Sequence, residues 1–101
     1  LTVEVARASG GGVYAVPEAE IGQNISLLAE SAGIFGEGAT GVAVGALRAA
    51  VARGELGASD RVVLLVTGTG LKTPQLAEVS GEIIEVDPDV DALLDQLGVM
   101  A

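Results

Sequence analysis

The chain has 101 residues, with 5 Lys plus Arg against 14 Asp plus Glu, no His and a formal net charge of −9. That charge disfavours phosphate backbones and anionic membrane surfaces as partners. The absence of Cys and His excludes a disulfide framework, a thiol nucleophile, the usual zinc sites and a Ser-His-Asp triad. Half the residues are hydrophobic, which sets the chain apart from disordered sequences, and the length suits one domain. Aromatics are only 2%, so the core must be built from Val, Leu, Ile and Ala. The longest strongly apolar run, Val62 to Val66, is far too short to span a bilayer. No signal peptide is visible, and the chain opens on Leu1, so it reads as the tail of something longer.

Leu1 to Ser9 is ambiguous. Val3 and Val5 alternate as in a strand, whereas Ala6, Arg7 and Ala8 favour a helix ended by Gly10-Gly11-Gly12. Val13 to Val16 reads as a short strand. Pro17 opens a helix, with Glu18 and Glu20 in its positive first turn and Ile21, Ile25, Leu28 and Ala32 at helical spacing. Gly33 stops it. Ile34-Phe35 leads to Gly36-Glu37-Gly38 and a second helix over Ala39–Arg53, apolar nearly all round until Arg48 and closed by Gly54. A helix without a polar face is buried on several sides. Val62 to Val66 has the continuous β-branched and Leu pattern of an interior parallel strand, and Thr67-Gly68-Thr69-Gly70 follows it. Glu82 to Val86 reads as another short strand. Asp87-Pro88 caps a last helix carrying Val90, Leu93, Leu94 and Leu97. This alternation predicts an α/β architecture with a largely parallel sheet, and ligands bind at the carboxyl ends of such strands. The loop after Val66 is therefore the expected ligand-facing segment.

Several motifs fall to plainer readings. Gly68-Thr69-Gly70 lacks the third glycine of a dinucleotide fingerprint, since position 73 is Thr. Leu71 between Gly70 and Lys72 breaks a Walker A loop. Pattern alone makes this stretch a Gly-rich turn leaving a buried strand. Asp87, Asp89 and Asp91 imitate the start of a calcium loop, but Ala92 and Gly98 stand where Gly and Glu are needed, so helix capping is the reading and no metal site is expected. Gly41 and Gly45, four residues apart, predict close approach of that helix to a neighbouring backbone. Glu37 is either a helix N-terminal charge or a site residue.

Taken together, four stretches resemble the C-terminal part of the threonine synthases, within the tryptophan-synthase-like (fold type II) class of pyridoxal-phosphate enzymes. They are Ser9-Gly10-Gly11 through Val16-Pro17-Glu18-Ala19-Glu20-Ile21; Gly33-Ile34-Phe35-Gly36-Glu37 running into Ala39 to Leu47; Gly54-Glu55-Leu56 with Asp60 to Lys72; and Ile84 to Leu97. The third is the most specific, because a strand followed by T-G-x-G-L-K is a hallmark of that family. Two positions depart from the pattern: Gly38, where relatives often have Pro or Thr, and Thr73-Pro74, where many have Asp-Pro.

The resemblance implies a mostly parallel, helix-covered sheet belonging to a larger catalytic domain. Residues 1–101 would be its C-terminal segment, with the upstream part missing. It implies conversion of O-phosphohomoserine and water to threonine and phosphate with pyridoxal phosphate as cofactor, in the cytoplasm. Partners would be the small-molecule substrate, the remainder of the domain and further copies of the enzyme in a homo-oligomer, with neither nucleic acid nor membrane. Thr67 matches the hydroxyl that faces the pyridine nitrogen, Gly68 lets the backbone pass close to the ring, and Glu37 matches a position near the cofactor. Lys72 matches the lysine of T-G-x-G-L-K and not the covalent attachment lysine, so no catalytic residue is expected in this chain, which would be inactive alone. Other fold type II enzymes, such as threonine dehydratase and cysteine synthase, usually differ around this turn and lack the G-L-K tail. An autonomous, non-catalytic α/β binding domain is the reading from a different class.

Overall fold

A computed structural model describes residues 1–78 and 85–98. The α-helices are α1 (Thr2–Ala8), α2 (Ile21–Ala32), α3 (Gly38–Ala52) and α4 (Val90–Gln96), with 3-10 turns at Glu18–Glu20, Gly70–Lys72 and Pro74–Leu76. Among the described residues there is no strand, only one isolated antiparallel bridge between Gly36 and Thr69. The ambiguity over Leu1 to Ser9 resolves as helix, ended by Gly10 with a positive φ.

The second central helix, α3, forms close to its predicted bounds, whereas α2 begins at Ile21, four residues after Pro17, so Glu18 and Glu20 lie in the 3-10 turn that precedes it and not in its first turn. In α2 the chain stops where Gly33 adopts φ 70°, a conformation that costs glycine nothing, and its N–H donates to the Ala29 carbonyl at 2.9 Å. The α3 helix ends in the same way just before Gly54. The two helices pack on one another, and this contact holds most of the core: among the described residues Ile25, Val44 and Ala50 are the buried hydrophobics, joined by buried Asn24 and Thr40. The small-residue expectation is met. A Cβ at Gly41 would stand 2.6 Å from the Ile21 carbonyl oxygen, and one at Gly45 would stand 2.6 Å from Val16 Cγ1 and 2.8 Å from Asn24 Nδ2. Glycine at both positions is thus what allows the backbones to close. Arg48, the residue that breaks the apolar character of α3, donates from Nη1 to Asn24 Oδ1 at 2.6 Å.

The sheet expectation meets a different outcome. Val13 to Val16 and Val62 to Val66 form neither helix nor ladder. Far from being covered on both faces, Val63 is 86% exposed and Leu65 74%. A strand is defined by its partner, and no described segment lies alongside to pair with this one. Glu82 to Val86 lies largely outside the described residues; Glu85 and Val86 form no strand. The last helix starts later than expected: Asp89, not Asp87-Pro88, caps α4, its Oδ1 accepting from the N–H of Asp91 at 2.9 Å and of Ala92 at 3.1 Å. The aspartate series thus does the capping work expected of it.

The molecule is elongated, 62 × 30 × 20 Å, with a radius of gyration of 18.7 Å. A compact chain of this length would have about 13 Å. No helix among the described residues is long and apolar enough to cross a membrane.

Candidate functional site

The expected ligand-facing loop folds back onto the link between α2 and α3. The N–H of Glu37 donates to the Gly68 carbonyl at 3.1 Å, and the N–H of Gly70 donates to the Phe35 carbonyl at 3.0 Å. With the Gly36–Thr69 bridge, these contacts dock Gly68-Thr69-Gly70 on Phe35-Gly36-Glu37. The glycines make the docking possible. At Gly70 a Cβ would lie 2.7 Å from the Phe35 ring and 2.8 Å from the Gly36 carbonyl oxygen. At Gly68 a Cβ would overlap the Glu37 carboxylate, and at Gly36 it would overlap the buried Thr40 side chain. Thr69, in the middle of the docked stretch, caps the next 3-10 turn, its hydroxyl accepting from the Leu71 N–H at 3.3 Å.

Glu37 was open between two readings, and both its backbone and its side chain have a place. The backbone is at the N-cap position of α3, its carbonyl accepting from Thr40 N at 2.9 Å. The side chain makes no cap hydrogen bond. It turns instead across the glycine-rich loop, where one oxygen meets Lys72 Nζ at 2.8 Å. The carboxylate is about one-fifth exposed and the lysine about three-fifths. Lys72 is the chain's only lysine.

The structure therefore brings Gly68 and Glu37 into contact, with Thr67 the next residue along the backbone. Thr67 is exposed, and its hydroxyl has no hydrogen-bond partner among the described residues. Sequence reasoning missed the Glu37–Lys72 pair, since nothing in the spacing of an acid on one helix end and a base in a distant loop says that they meet. It also missed Asn24, a fully buried amide within the apolar stripe of α2 whose Nδ2 has no hydrogen-bond partner among the described residues. An open groove whose floor is mainly apolar, lined by Ser26, Ala29, Phe35, Pro74 and Ala77 and flanked by Glu30 and Glu78, runs beside the docked loop. The backbone of Leu76 closes on α2 here, since a Cβ at Gly22 would be 2.6 Å from its carbonyl oxygen.

Comparison with known proteins supplies the class: a family model described as "Pyridoxal-phosphate dependent enzyme" matches residues 1–68, and the chain belongs to this family. Its cofactor is therefore pyridoxal phosphate. The matched span includes Glu37, Thr67 and Gly68.

Curated relatives narrow the likeness. Over 100 residues the chain is 36% identical to a protein named threonine synthase from Halalkalibacterium halodurans, covering 94% of this chain and 27% of the relative. It is 36% identical over 87 residues to a threonine synthase from Methanocaldococcus jannaschii, covering 85% and 22% respectively. A threonine synthase from a Bacillus species is 31% identical over 97 residues, covering 94% of this chain and 28% of its own length. The chain thus spans roughly a quarter of the length of these relatives. The resemblance to threonine synthases read from the motifs is borne out.

Proposed function

We propose that the chain is the C-terminal segment of the catalytic domain of a threonine synthase, which converts O-phosphohomoserine and water to threonine and phosphate. The observation that carries the reading is the turn at Thr67-Gly68. A hydroxyl that is exposed and unpartnered among the described residues precedes a glycine fixed by one backbone bond from the Glu37 N–H and by the Glu37 carboxylate. These residues suit the nitrogen edge of a pyridine ring. A hydroxyl donates one hydrogen bond to a neutral ring nitrogen, and the nearby Glu37 carboxylate is neutralised by Lys72. Thr67 would hold the ring nitrogen, Gly68 would keep that edge free of a side chain, and Glu37 would stand close behind.

When bound, pyridoxal phosphate supplies the electron sink for carbanion chemistry at the amino acid. This chain's share is to bind and orient it. A hydroxyl partner, unlike a carboxylate, does not enforce a protonated ring. Lys72 matches the lysine of T-G-x-G-L-K and the chain has no other lysine, which supports an attachment lysine elsewhere in the intact enzyme and an isolated chain without activity. The exposed Val62 to Val66 run supports a strand whose neighbours come from the remainder of the domain. In this reading the enzyme is cytoplasmic, its small-molecule substrate is O-phosphohomoserine, and the rest of the domain is the chain's obligatory partner.

The test is product analysis with the intact protein that contains this segment. Threonine and phosphate should appear in equal amounts from O-phosphohomoserine, and the isolated chain should release neither. Phosphate release that stays at background, with dehydration of threonine or sulfide-dependent cysteine formation instead, would assign the segment to another fold type II enzyme.

A further inference from the structure

We infer that Glu37 and Lys72 are positioning residues: they form a neutral brace that holds Gly68 and thereby aims the Thr67 hydroxyl at the cofactor ring. The inference rests on the reading of Thr67 proposed above. Neither residue needs to touch the cofactor for it.

Three observations converge. The first is geometric. The Glu37 carboxylate fills the volume that a side chain at position 68 would need, so it bears directly on the Gly68 backbone next to Thr67. The second is the backbone tie, Glu37 N–H to the Gly68 carbonyl at 3.1 Å, which makes one residue hold the turn through both its main chain and its side chain. The third is the ion pair. Lys72 Nζ reaches a Glu37 oxygen at 2.8 Å from the far end of the same glycine-rich loop. The loop is thus clasped between its two ends, with Glu37 as the common point. Glu37 could satisfy the free N–H groups of its own helix, yet its side chain makes no cap bond and is committed to the loop. Pairing also matters electrostatically. In a chain of net charge −9, a lone carboxylate beside the Thr67 turn would compete for any donor there and would favour ring protonation. Lys72 cancels that field.

The pair is partly exposed, so its effect is bounded. Such ion pairs are worth up to about 1 kcal/mol, which corresponds to a change in affinity of about fivefold at most.

The experiment measures the cofactor dissociation constant of the intact enzyme by the quenching and shift of cofactor absorbance and fluorescence on titration. The proteins are the wild type, Lys72→Met, Lys72→Arg, Glu37→Gln, Thr67→Val and the double variant Thr67→Val/Lys72→Met. Lys72→Met and Glu37→Gln should each weaken binding about two- to fivefold, and Lys72→Arg should restore it. In the Thr67→Val background, removing Lys72 should have no further effect, because the brace acts through that hydroxyl. A purely structural contribution would weaken both backgrounds equally, and that result overturns the inference. Unchanged binding in Lys72→Met and Glu37→Gln overturns it too, while leaving Thr67 in place. If Thr67→Val itself binds the cofactor like the wild type, the reading of the site fails first, and the brace fails with it.

Discussion

The carboxylate of Glu37 stands where a side chain at Gly68 would have to be, and this contact joins the start of α3 to the glycine-rich turn. Its neighbour Gly70 is confined by firmer material: the Phe35 ring at 2.7 Å and the Gly36 carbonyl at 2.8 Å from a Cβ position. Neither glycine has a positive φ, so alanine meets no backbone strain at either place. The difference lies in what must move. The Glu37 carboxylate is the far end of a flexible side chain, whereas a backbone carbonyl is not. Gly70→Ala should therefore destabilise the intact protein by about 1–3 kcal/mol. Gly68→Ala should cost less than about 1 kcal/mol, through displacement of a partly exposed ion pair. Melting curves of the two variants check the order, and a lower melting temperature for Gly68→Ala would refute it.

The helix crossing makes a second prediction. Gly45 faces Val16 and the Asn24 amide at less than 3 Å from its would-be Cβ, and the Asn24 amide also accepts from Arg48. A leucine at position 45 has no volume to enter and must push α2 and α3 apart, at a cost of about 1–3 kcal/mol or more. Ala58, on the exposed loop after α3, should accept leucine with less than about 0.5 kcal/mol of change. Thermal unfolding of the two variants in the intact protein tests this, and equal melting temperatures would contradict the close crossing.

A third prediction concerns Tyr14. Its phenol donates to the Glu55 carboxylate, and the Arg53 guanidinium lies 5.1 Å from the ring centroid. The hydrogen bond to Glu55 is the main reason that the phenol's pKa is raised above its usual 10.0; desolvation and the Glu55 charge add to it, and Arg53 opposes them. A raised pKa means that the folded state favours the neutral phenol. The associated stabilisation is complete below the unfolded-state value and is lost as pH rises through the folded one. Phenolate absorbance of the intact protein, taken as a difference from Tyr14→Phe, should titrate above 10.0, and Glu55→Gln should lower the midpoint. A midpoint at or below the ordinary value with Glu55 present would show that the contact is not made.

How legible this structure was in the sequence depended on where the determining contacts lie. The α2 and α3 helices could be read because apolar spacing, Gly33 and Gly54 all act within a turn or two of chain; the start of α2 was placed too early because Pro17, Glu18 and Glu20 mark a 3-10 turn just as well. The Gly41 and Gly45 pair could be read as a close approach, although its partners, Ile21, Val16 and Asn24, could not be named. Val62 to Val66 has every local mark of a buried strand, yet local marks set only a preference; the ladder requires a neighbour, and none pairs with it among the described residues. Asn24 was hidden because a polar residue on an apolar helix stripe shows its reason only when Arg48 arrives from another helix. The glycine-rich turn was recognisable as a motif, whereas the Glu37–Lys72 clasp that holds it is a tertiary fact.

The measurement that bears most directly on the account compares cofactor affinity in Thr67→Val and Thr69→Val, made in the intact enzyme. Both substitutions keep the side-chain shape and remove a hydroxyl. At position 67 that hydroxyl is exposed and unpartnered among the described residues, whereas at 69 it already accepts from the Leu71 N–H at 3.3 Å. Loss of the Thr67 hydrogen bond should cost about 1–3 kcal/mol, or about fivefold to 150-fold in the cofactor dissociation constant. Thr69→Val should change that constant less than about threefold, its loss falling on the local turn. A silent Thr67→Val, or a Thr69→Val that proves the more damaging, would contradict the assignment of the turn to the cofactor ring.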